Sequence, residues 1–195
     1  FALDALAVIT YMGNPVDHLT LAQLGQIFRG EITDWKDLGG PNGIISMYGR
    51  QSNSGTFIYF REVVLKGDYS PHVKRMNGNA QIVEAVKRDK AAIGYVGIGY
   101  VIDQNGRTVN GIKIINLASE MGTTPVSPVQ PENIFNHLYP LVRPLFQYTN
   151  GQPKGSVKDF LEFELSPQGQ KIVGEEGFYP IGPKHKAQNQ KALGK

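Results

Sequence analysis

Short apolar runs of strand length alternate along this chain with stretches whose apolar residues recur at helical spacing, and that alternation leaves few architectures open. Strands separated by amphipathic helices fold as an α/β sheet with helices on its faces. Residues 5–10 read as a buried strand that Asn14-Pro15 ends. From Thr20 the pattern turns helical, with Leu21, Leu24, Ile27 and Phe28 on one face, Thr20 and Gln23 spaced as a capping box, and Gly30 placed to stop the helix. A second strand is expected over 44–48. Helices are expected from near Gly55, with Phe57, Phe60, Val63 and Val64 inward, and from Asn79, with Ile82, Val83 and Val86 inward. A strand and glycine-rich turn follow over 91–102, and another strand over 112–117. Residues 123–131 read as a surface connection and 138–149 as extended chain interrupted by Pro140 and Pro144. Two short helices close the pattern, one capped by Ser156 with Asp159 three positions on, the other opened by Ser166-Pro167.

Composition narrows the functions open to such a sheet. With 195 residues, 41% hydrophobic and 19% charged, the chain can bury a sizeable core. No segment reaches the roughly 18–20 consecutive apolar residues of a membrane helix. The absence of cysteine excludes a disulfide framework, a zinc ribbon and a thiol nucleophile. Twenty Lys and Arg against 17 Asp and Glu give a net charge of +3, a balance that suits small anions better than a nucleic-acid track. Part of that excess, at Lys184, Lys186, Lys191 and Lys195, falls in a basic polar tail over 184–195 expected to lack fixed structure. The apolar run at 1–8 contains Asp4 and follows no basic region, so it does not read as a secretory signal peptide.

The chemistry concentrates in Arg50-Gln51-Ser52-Asn53-Ser54-Gly55-Thr56-Phe57, where the chain leaves a strand and enters a helix. Such a loop presents unpaired N–H groups and the positive end of a helix dipole to a small anion. Ser54 and Thr56 add hydroxyl donors, Gly55 allows close approach to the backbone, and Arg50 offers a two-pronged charged contact. A simple helix cap beside a solvated arginine explains the same spacing. Other sites are less well supported. Ser52 or Ser54 could serve a hydrolase with His18, His72, His137 or His185, but the loop is not G-x-S-x-G, and the histidines lack the H-x-x-x-H spacing of metal sites. Gly94, Gly97 and Gly99 are not spaced as a nucleotide loop and read as packing. Trp35, Phe28 and Tyr48 read as local core, and Asp34, Glu62 and Glu84 as solvated carboxylates.

Longer segments then carry a resemblance: N-P-V-D-H-L-T-L-A-Q-L from Asn14, I-F-R-G-E-I-T-D-W-K-D-L-G-G from Ile27, A-I-G-Y-V-G-I-G-Y from Ala92, Y-P-L-V-R-P-L from Tyr139 and L-S-P-Q-G-Q-K-I-V from Leu165. Over almost its whole length the chain resembles the phosphate-binding proteins that serve ABC transporters. The resemblance implies phosphate contacts at Arg50, Ser54, Gly55 and Thr56, with Ser52 and Asn53 behind them; many relatives carry Asp where this chain has Ser52. It implies a non-enzymatic, periplasmic or otherwise extracytoplasmic protein without cofactor, metal or nucleic acid, with inorganic phosphate as ligand and an ABC-transporter membrane permease as partner. The implied fold is periplasmic-binding-protein-like (type II), a two-lobed three-layer α/β structure. Residues 1–138 would form the second lobe with the first crossing strand, and 139–183 the return crossing and closing part of a first lobe. The opening part of that lobe is absent from this sequence and is expected from a truncated N-terminal segment, which would also carry any membrane anchor, or from a second chain. Phe146, Tyr148, Phe160, Leu161, Phe163 and Ile172 are then expected to lack part of their cover. The competing reading is a repurposed half-lobe that docks on another protein, with anion binding vestigial.

Overall fold

The computed structural model describes residues 1–103 and 106–194. One strand organises it. β1 (Ala2–Tyr11) is antiparallel to three others, pairing β7 (Val142–Leu145) through residues 2–5, β5 (Ala92–Gly97) through 6–10 and β6 (Ile112–Ala118) through 8–11. Parallel pairs extend the sheet outward: β2 (His18–Thr20) on β6, and β3 (Ser46–Arg50) between β5 and β4 (Lys74–Met76). The order β2-β6-β1-β5-β3-β4, with β7 on β1, is a mixed sheet, and it bears out the α/β class. β1 starts three residues earlier than its apolar pattern suggests because β7 supplies a partner for its first half. β3 starts two residues later than expected: Ile44 is 79% exposed and makes only an isolated bridge to Asp34.

Helices cover the sheet for reasons legible in their sequences. α1 (Leu21–Arg29) begins at the Thr20–Gln23 capping box and ends at Gly30, whose φ of 81° is the left-handed cap conformation that favours glycine. It buries Leu24, Ile27 and Phe28. α2 (Gly55–Phe60) runs on into a π-helical turn over Arg61–Leu65, and α3 (Asn79–Arg88) buries Ile82, Val83 and Val86. α3 approaches β5 so closely that a Cβ on Gly94 would stand 2.7 Å from the Ile82 side chain, which explains one glycine of the run by packing. Trp35 is buried in the core, its indole donating to the Ala91 carbonyl at 2.9 Å.

The last third departs further from expectation. After α4 (Pro131–Phe135), α5 (Gly155–Leu165) is preceded by Lys154 without a side-chain cap, so Ser156 lies inside the helix instead of capping it. α6 (Pro167–Glu175) is capped by Ser166 as its spacing implies, the hydroxyl accepting from the Gly169 N–H. The 184–195 segment, expected to lack structure, instead contains α7 (Pro183–Ala192): Pro183 presets the first turn, and the buried Leu193 ties down its end. α5 buries none of its residues; Phe160 and Phe163 stand exposed there, with Phe146 and Tyr148 exposed beyond β7.

Gly99 and Gly177 join this last third to the main sheet by backbone contact. A Cβ on Gly177 would stand 2.6 Å from the Gly99 Cα, at a φ of +79°. Gly177→Ala therefore combines left-handed strain with overpacking and is expected to cost about 2–4 kcal/mol in urea unfolding. Gly174→Ala, with nothing within 4 Å of its added methyl, is expected to cost nothing.

Candidate functional site

The loop singled out by sequence sits between the end of β3 and the start of α2, on a bed of stacked aromatics. Phe60 lies flat on Tyr95, ring centres 3.8 Å apart, and Phe57 on Tyr69 at 4.4 Å. A chain of hydrogen bonds crosses this bed. The Arg50 N–H reaches the Tyr95 hydroxyl at 3.4 Å, the Tyr95 and Tyr69 hydroxyls meet at 2.7 Å, and Tyr69 donates to the Phe57 carbonyl at 3.2 Å. Burial raises both phenols above their ordinary pKa, so they stay protonated and the two ends of the loop stay tied.

The four expected residues occupy the two ends of this loop, Arg50 at the end of β3 and Ser54, Gly55 and Thr56 at the start of α2. Ser54 caps α2, its hydroxyl accepting from the Thr56 N–H at 3.2 Å, which leaves the hydroxyl proton free to donate. Among the described residues nothing accepts from the N–H groups of Gly55 and Phe57, the orphan donors of a helix start. Gly55 is exposed, and the nearest atom to a Cβ placed there is an Arg143 nitrogen 3.9 Å away. Ser52 and Asn53 lie exposed in the turn. Arg50 is oriented by other residues: it donates to the Asn79 side-chain oxygen at 3.2 Å and to the Asn77 carbonyl at 3.4 Å. Its remaining nitrogen, Nε, is one of three buried side-chain polar atoms without a partner among the described residues. A buried cationic donor without an acceptor is uncommon and calls for an explanation.

One residue of this neighbourhood escapes local sequence reading. Arg143, on β7, donates through Nε and Nη2 to a single Asp4 carboxylate oxygen at 3.0 and 2.8 Å. It reaches on to the Gly55 carbonyl at 3.0 Å and the Thr56 hydroxyl at 3.3 Å. The available signal was Asp4 itself, a carboxylate inside an apolar strand, which requires a cation nearby. Burial raises the Asp4 pKa, opposed by the hydrogen bonds and charge of Arg143. Neither Ser52 nor Ser54 has a histidine partner among the described residues; the hydrogen-bonded histidine ring there is His18, on the exposed Asp17. An open cavity of about 1110 Å³ lies apart from the loop, between Ile98, Gly99 and Ile102 on one side and the Gly177 to Tyr179 stretch on the other. Its lining includes Asp103, Glu175 and Glu176 against Lys171, a poor match for an anion.

Residues 1–168 match the family model of the PBP superfamily domain. The chain belongs to the PBP superfamily. It is 34% identical over 210 residues to the phosphate-binding protein PstS of Pseudomonas aeruginosa, an alignment covering 99% of this chain and 62% of that protein. Its fold matches a Clostridium perfringens protein solved with bound phosphate, with TM-score 0.75 and 32% identity over 93% of this chain and 70% of that one. It also matches an ABC-type phosphate transport receptor from Vibrio cholerae, with TM-score 0.75 and 28% identity over 92% and 70% of the two chains. The chain thus spans a little under two thirds of the length of that curated relative. No helix among the described residues is long and apolar enough to cross a membrane.

The Asp4–Arg143 pair carries a pH-dependent consequence. Removing the guanidinium raises the Asp4 pKa further above its unfolded value, so stability is lost as the pH climbs through the folded-state pKa. Arg143→Met is therefore expected to destabilise by about 2–4 kcal/mol at pH 7, since breaking a buried pair strands the other charge. The deficit should shrink at pH 5, as urea unfolding at both values will test.

Proposed function

We propose that this chain binds inorganic phosphate at the loop from Arg50 to Thr56, as the ligand-gripping part of an extracytoplasmic solute-binding protein that delivers the anion to an ABC-transporter permease. Arg50 carries the reading: Asn79 and Asn77 hold its guanidinium while Nε stays buried without an acceptor. Around it, Ser54 and Thr56 supply hydroxyls, Gly55 and Phe57 supply N–H groups, and Gly55 keeps the backbone approachable. Charge-assisted bonds of this kind are worth about 1.5–3 kcal/mol each. The role is binding without catalysis, in keeping with relatives named for phosphate binding and transport.

In this reading β1 and β7 are the crossing strands between two lobes. Residues 1–138 belong to the second lobe, 139–183 complete the first, and the basic 184–195 segment follows them. The exposed aromatics Phe146, Tyr148, Phe160 and Phe163 support a face at which the rest of the first lobe packs, from the same polypeptide or a second one. Closure of two lobes over the anion then favours the bound state by adding donors from both sides and excluding water.

Calorimetric titration with phosphate tests the assignment. Arg50→Ala is expected to weaken binding at least tenfold and Lys191→Ala, on α7, to leave it unchanged. Gly55→Ala is expected to weaken binding without lowering thermal stability, because its methyl makes only an ordinary van der Waals contact, 3.9 Å from an Arg143 nitrogen. Equal losses from Arg50→Ala and Lys191→Ala would overturn the site. A folded chain that takes up no phosphate would favour the docking-module alternative.

A further inference from the structure

Arg143 is arranged to do more than neutralise Asp4. Its guanidinium spans three elements: it is paired to β1 through Asp4, it sits on β7, and it touches α2 at the Gly55 carbonyl and the Thr56 hydroxyl. Two of its nitrogens share one Asp4 oxygen, which fixes the plane of the group; the Asp4 side chain is 9% exposed and that of Arg143 23%, so the clamp is largely shielded from water. Tyr59 backs the same guanidinium, its ring centre 5.2 Å away, and its hydroxyl donates to the Val142 carbonyl beside Arg143. The end that reaches Thr56 is therefore held from two sides.

A guanidinium has donors only, so the Thr56 oxygen must accept from it. A hydroxyl has one proton, and an oxygen turned toward a cation directs that proton away. We infer that Arg143 is a positioning residue for the anion loop: clamped by Asp4, it fixes the Thr56 hydroxyl as an acceptor on its inner side and so presents its proton to the oxyanion. Ser54 gains the same polarity from the Thr56 N–H, which its oxygen accepts. Both hydroxyls become donors toward the ligand. The loop then suits oxygens that only accept, and the proton of a singly protonated anion must be met elsewhere. This inference rests on the phosphate-binding reading above.

A double-mutant cycle on phosphate affinity tests it, with the stability of each variant measured alongside. Arg143→Met is expected to weaken binding about tenfold in the unsubstituted protein and equally in a Thr56→Ser background, where the hydroxyl remains. In Thr56→Val, which lacks the hydroxyl, adding Arg143→Met is expected to change affinity less than twofold. If Arg143→Met does not fold, Asp4→Asn with Arg143→Met, which strands no buried charge, takes its place in the cycle. Equal losses in the Ser and Val backgrounds, or no loss at all, would overturn the positioning role while leaving phosphate binding intact. No phosphate binding by the unsubstituted chain would instead overturn the binding reading, and this role with it.

Discussion

The Asp4–Arg143 ion pair is the interaction on which the rest of this molecule depends. β1 is the strand to which β5, β6 and β7 are all hydrogen-bonded, and Asp4 places a carboxylate on its buried first half. A charge there is tolerable only because Arg143 arrives from β7 in register opposite it, Asp4 and Arg143 being paired residues of the antiparallel ladder. The same guanidinium continues to α2. Strand pairing, charge compensation and the anion loop are thus one connected arrangement.

Around that pair, the loop obtains rigidity from packing. Stacked Phe57, Phe60, Tyr69 and Tyr95 form a floor, and hydrogen bonds through two protonated phenols tie Arg50 to Phe57. A site built this way spends little conformational freedom when a ligand arrives, because its donors are already held. Arg50 is set by Asn79 and Asn77, so the proposed anion contacts draw on β3, α2 and the start of α3 together.

Several short-range signals in the sequence carry through to the fold, although Ser156 does not cap α5. Thr20, Gln23 and Gly30 delimit α1 because caps are short-range chemistry, and Ser166-Pro167 opens α6 for the same reason. The candidate loop was visible in its strand–turn–helix spacing. What escaped was non-local. Arg143 lies 87 residues from Thr56 and 139 from Asp4, so neither spacing nor periodicity joins them. Asn79 takes the place beside Arg50 that Ser52 and Asn53 seemed to offer, since a parallel sheet brings the ends of distant strands side by side. α7 gives little signal in the sequence because it has almost no apolar face; it is ordered at its ends, by Pro183 and Leu193.

Locating a tetrahedral oxyanion in a crystal tests most directly whether the loop from Arg50 to Thr56 is built for one. Arsenate has the shape and charge of phosphate and scatters X-rays anomalously, so crystals of the chain grown with it would reveal the anion without ambiguity. An anomalous peak is expected within hydrogen-bond distance of Arg50 Nε and the Gly55 N–H. A peak confined to the lysines of α7 or to the open cavity beside Gly177, or no peak at all, would contradict this assignment.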